Sequence, residues 1–156
     1  MRCRYIQINP LFLLLLVSIS TAFIACNFDR DGGVRIANDM EKYALDYIKK
    51  HKLLEPDEKL IAYYDYTLDL NGKEAAIITN KRVIHHNESQ NYVMEMAEIK
   101  KIEHREESLQ GDIIEIYDID GTMMVIKIAP LNGGNLFLNA LKNTVETNQA
   151  NKAISS

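Results

Sequence analysis

The residues in this chain with side chains suited to chemistry are four histidines, two cysteines and the pair Lys81-Arg82. His85 and His86 are consecutive in a segment of strand character, so they point to opposite faces and do not converge on one metal ion. His104 sits in Glu103-His104-Arg105-Glu106-Glu107 and His51 is far away in sequence, and no spacing matches a metal motif. The cysteines are Cys3 and Cys26, which leaves no thiol nucleophile, cysteine-based metal site or disulfide for the later chain. GxSxG, HExxH, Walker-type and glycine-rich dinucleotide signatures are all missing, and Ser89 and Ser108 belong to no recognisable triad. The expectation is a protein that is not an enzyme and takes no cofactor. A small hydrolase is the rival that a convergent polar pocket would revive. Lys81 and Arg82 are candidate basic contacts. Turn chemistry also accounts for them, as solvated residues with Arg82 paired to an acid.

The element that positions these residues is the stretch Ala75 to His86. Two short apolar runs rich in β-branched residues flank Thr79-Asn80-Lys81-Arg82, which predicts a β-hairpin. Upstream, Leu60, Ala62, Tyr64, Tyr66, Leu68 and Leu70 alternate with Asp65, Thr67 and Asp69, and the turn signal Asn71-Gly72 follows. Downstream come a polar turn at Asn87 to Asn91 and a strand through Tyr92, Val93, Met94 and Met96. Glu98 to Glu106 then opens on a helical turn. Strands at Ile113 to Ile119 and Thr122 to Ile128 flank a type I′ candidate at Asp120-Gly121. Leu138, Leu141 and Val145 mark a C-terminal helix through about Thr147, with a frayed tail over 148–156. Ahead of the sheet, Ile36, Met40, Tyr43, Ala44, Tyr47 and Ile48 predict a helix within 37–55, capped by Asn38 or Asp39 and stopped before Pro56. That helix packs on the sheet, lies on a membrane surface or sits in the groove of a partner. The fold class is therefore α+β, mainly β: a bent antiparallel sheet or incomplete barrel of about seven strands with a helix at each end.

The first 25 residues read as an address. Arg2 and Arg4 precede an uncharged, mostly apolar run from Leu11 to Ala25 that is short for a spanning helix. Its end, Phe23-Ile24-Ala25-Cys26, resembles the lipobox of bacterial lipoproteins. The resemblance implies cleavage before Cys26, lipidation of Cys26, and anchoring at the cell envelope. An uncleaved signal anchor is the alternative. Residues 26–36, with Gly32-Gly33, read as a tether. Arg2 and Arg4 are the only charges before Cys26, so a chain cut there holds 16 basic and 22 acidic residues, net −6. That balance argues against nucleic acid and against electrostatic attachment to anionic lipid.

Several segments resemble bacterial PH-like (pleckstrin-homology and GRAM-type) domains. These are Glu58-Lys59-Leu60-Ile61-Ala62-Tyr63, the Thr79-Asn80-Lys81-Arg82 hairpin, Met96 to Ile102, Asp118-Ile119-Asp120-Gly121 and the final helix, in that order. The resemblance covers 56–147 and implies a binding or scaffolding module. Phosphoinositide binding by such domains uses a basic first hairpin loop. Here Asp69 to Glu74 holds one Lys against two acids, so that function is not expected. PH-like relatives bind peptides beside the closing helix, and the resemblance points to the edge formed by Tyr92, Val93, Met94 and Met96 as the place for a protein or peptide partner. The same alternation also fits both methionines in the core. The expected function is a lipid-anchored envelope module that binds a protein or peptide, with a structural or immunity-type lipoprotein as the rival.

Overall fold

In the computed structural model, which describes residues 32–155, eight strands form two antiparallel sheets. The first is ordered β1 (Arg35–Ile36), β2 (Leu60–Asp65), β3 (Glu74–Thr79), β4 (Arg82–Asn87) and β5 (Gln90–Glu95). The second is β6 (Ile99–Glu107), β7 (Gly111–Asp118) and β8 (Met123–Ile128). Helix α1 (Lys42–His51) precedes β2, and helix α2 (Gly134–Ser155) follows β8. The mainly β architecture with a helix near each end is as expected, and the sheets do not close into a barrel. Among the described residues no helix is long and apolar enough to cross a membrane. The signal peptide of 1–25, Cys26 and the tether up to residue 31 lie outside the described residues.

Two cores hold the layers together. Between the sheets, Ala62, Tyr64, Ala76, Ile78 and Val83 meet Ile114, Ile116, Ile126 and Ile128, and α2 adds Phe137, Leu138, Leu141 and Val145. On the outer face of the first sheet, Ala44 and Ile48 of α1 pack with Leu53 against Tyr63, Ala75, Ile77 and Ile84. Helix α1 is thus a packed layer. The sheet beneath it is buried on both faces, so Ala62, Tyr63, Tyr64 and Asp65 are all buried where an alternating pattern was expected.

Several boundaries differ from the expectation. Arg35 and Ile36, expected in the tether, pair with Tyr63 and Ala62 as a short strand. The helix expected over 37–55 is a single 3-10 turn (Ala37–Asp39), a break, and then α1. Glu41, not Asn38 or Asp39, stands at its cap position, without a side-chain capping bond. Lys52 at φ 53 ends it in the left-handed conformation. The extended run through Leu70 stops at Asp65, because that carboxylate accepts bonds from the Thr67 and Gly72 amides at 2.8 Å each and folds 66–73 into a wide loop. Asp120-Gly121 is not a type I′ turn: Gly121 alone has positive φ, and Asp118 N–H donates to Thr122 O at 3.1 Å across a three-residue loop. The tail expected to fray is helical through Ser155, since Asn148 Nδ2 donates to Asn80 O at 3.0 Å and Gln149 Nε2 to Ile99 O at 2.9 Å.

Candidate binding edges

The Thr79-Asn80-Lys81-Arg82 motif is a buckle. Thr79 Oγ1 accepts the amides of Lys81 and Arg82 at 3.1 and 3.0 Å, shaping a two-residue loop. Asn80 Oδ1 accepts Lys59 N–H at 2.6 Å, Lys81 Nζ meets Asp57 at 2.5 Å, and Arg82 grips Glu58 with Nε at 2.7 Å and Nη2 at 2.8 Å. Glu58 Oε2 also accepts Glu55 N–H at 2.7 Å. Burial alone would raise the Glu58 carboxyl pKa. The bonds from Arg82, Glu55 and Thr79 outweigh it, and the value falls below 4.5. Both cations of the candidate contact therefore hold the segment leading into β2, as the turn reading has it.

His85 and His86 point to opposite faces of their strand, and the His51 ring stacks on Tyr47 at 4.1 Å. His86 is buried outward: its Nδ1 lies 2.6 Å from Asn91 Oδ1 and its Nε2 3.1 Å from the Tyr47 hydroxyl, linking α1 to β5. His85 faces inward between the rings of Tyr66 and Tyr92, at 5.3 and 6.3 Å. Burial lowers its pKa from 6.5, with Glu74 opposing the shift. His104 Nε2 meets Asp112 Oδ1 at 2.7 Å. Among the described residues no group of three His, Cys, Asp or Glu side chains is placed to hold a metal ion.

The edge formed by Tyr92 to Met96 survives only in part as a contact surface. Tyr92 and Val93 are exposed, but Met94 and Met96 are buried in the core, and Met96 belongs to a 3-10 turn (Met96–Glu98), not to the strand. The edge is also not the one beside the closing helix, because α2 packs on that turn and on β2, β6 and β7. Yet β5 ends its sheet, and β8 ends the other. Met96 N–H donates to Lys81 O at 2.7 Å, so even-numbered residues of this segment bond into the hairpin. By the two-residue period, Asn91, Val93 and Glu95 direct their amides away from the sheet. The Asp118–Thr122 bond places Met123 and Val125 of β8 likewise. These two edges, outermost in their sheets among the described residues, line a cleft of about 430 Å³, with His85 and Asn91 to Met94 on one side and Thr122 to Val125 on the other.

The contribution of β8 could not be found from sequence, since only the sheet order brings residues thirty apart to the same cleft. The loop expected to lack phosphate-binding charge has its single lysine, Lys73, paired with Glu88 at 3.1 Å.

The fold has a solved counterpart. A crystal structure of a DUF1696 family protein with a pleckstrin-homology domain, from Shewanella loihica PV-4, superposes with a TM-score of 0.52. The match spans 73% of this chain and 98% of that one, at 11% sequence identity. This chain is a PH-like fold. No family model matches it, and no curated protein matches it in sequence.

Proposed function

We propose that the chain is a lipid-anchored, envelope-facing PH-like module that binds an extended protein segment along the free edge of β5. The observation that supports this is a pair of strand edges, those of β5 and β8, that end their sheets among the described residues and line one cleft. An added strand would take the outward amides of Asn91 and Val93, with Tyr92 and Met123 as exposed apolar contacts and Met94 as floor. The anchor rests on the lipobox-like Phe23-Ile24-Ala25-Cys26. Phosphoinositide is not the ligand proposed, because Lys73 and Lys81 are each engaged by a carboxylate.

Val93→Pro tests the reading. It removes an amide that points away from β4, so the ladder within the sheet is untouched. The variant is expected to keep its circular dichroism spectrum and to lose the partner captured by crosslinking in membranes. Equal capture by the folded variant rules this edge out.

A further inference from the structure

The most exposed large apolar side chains among the described residues are Leu68 (104%), Leu109 (94%), Ile154 (84%) and Leu131 (82%), and the next, Ile119, is at 60%. The three leucines tip loops that meet at one end of the domain. Gly32 lies against Leu70, two residues from Leu68. Gly33 lies against Asn132, beside Leu131, and Val34 N–H bonds Asn132 O at 2.8 Å. Gly111, two residues after Leu109, lies against Pro130, the other neighbour of Leu131.

Leu131 has φ 66, the left-handed region that disfavours side chains other than Asn, Asp and Gly. Leu131 thus combines an unfavourable backbone conformation with an apolar side chain in solvent, and local exceptions of this kind are expected at functional positions. The described chain begins at this same end, and Cys26 stands six residues before Gly32. Six residues reach about 20 Å when extended, so lipid on Cys26 holds this end of the domain close to the bilayer.

We propose that the Leu68, Leu109 and Leu131 loops are a membrane-contact face seated in the interfacial layer of the bilayer that carries the anchor. The proposal rests on the lipid-anchored reading above. Contact is apolar rather than electrostatic: Leu68 is followed by the exposed acid Asp69, and Lys73 is paired with Glu88. Neutral lipid is therefore sufficient.

The chain has no tryptophan, so a single Trp reports its own surroundings. Full-length Leu68→Trp protein, extracted from expressing bacteria with its native N-terminus, is reconstituted on phosphatidylcholine vesicles. Ile154→Trp is the control, since α2 starts at this end and carries residue 154 about 30 Å along its axis. The expected result is flotation of both proteins with the vesicles. Leu68→Trp emission should shift to the blue and be quenched by lipids brominated near the headgroup, while Ile154→Trp stays water-like. Adding anionic phosphatidylglycerol should not increase the shift. Flotation with water-like emission from Leu68→Trp overturns the contact face and leaves the anchor standing. Protein that carries no lipid on Cys26 and does not float overturns the anchor and the face with it.

Discussion

Arg82→Met cuts the buckle at its most buried point. The Glu58 side chain is 0% exposed and that of Arg82 17%. Removing the guanidinium leaves the carboxylate with Thr79 and the Glu55 amide as its donors and no cation in direct contact among those described. Breaking a buried pair from one side costs about 3–5 kcal/mol, and the residual exposure of Arg82 places this case near the lower end, ~3 kcal/mol at pH 7. For a domain of this size that is a fall in Tm of roughly 10 °C. The pH dependence carries the sharper signature. The folded pKa of Glu58 lies below its ordinary 4.5, so its contribution is complete above that value and is lost as pH falls through the folded pKa. In Arg82→Met, burial without the cation pushes the same carboxyl upward, so acidification relieves the variant while it weakens the parent. Urea unfolding at pH 7 and pH 4 should therefore show the gap between the two proteins narrowing. A gap below ~1 kcal/mol at pH 7, or one unchanged at pH 4, would refute the assignment of the buckle as a buried charge pair.

Leu141, fully buried between α2 and the sheets, should cost about 2–5 kcal/mol when truncated to Ala, read as a fall in the urea midpoint. A midpoint that barely moves would mean the helix is not docked through this residue. Cys26→Ser should leave an unprocessed precursor without palmitate label, and normal labelling of that variant would end the lipoprotein reading.

The parts of the fold legible in the sequence were those written locally. Thr79-Asn80-Lys81-Arg82 announces its turn because the turn's own bonds run between neighbours. Its role as a buckle was hidden, because the carboxylate that Arg82 holds is 24 residues away in sequence. Alternation located β2 but misjudged its faces, since α1 covers the side that would otherwise meet water. The polar terminal tail predicted fraying, yet Asn148 and Gln149 are fixed by carbonyls of a distant hairpin loop and a distant strand. The binding edge was half legible. Strand character at Tyr92 and Val93 is local, whereas burial of Met94 and Met96 depends on which sheet closes over them.

Asn80 joins three parts of the chain at one residue. Its side chain receives the Lys59 amide, its own amide donates to Lys59 O at 2.9 Å, and its carbonyl receives Asn148. The last turns of α2 are thus tied to a hairpin tip formed 68 residues earlier. Their amides should open together with that tip in native-state hydrogen exchange, and not fray one by one from Ser155. A probe at Asn80 would report the ordering of the helix end, the hairpin and the entry to β2 as one cooperative event.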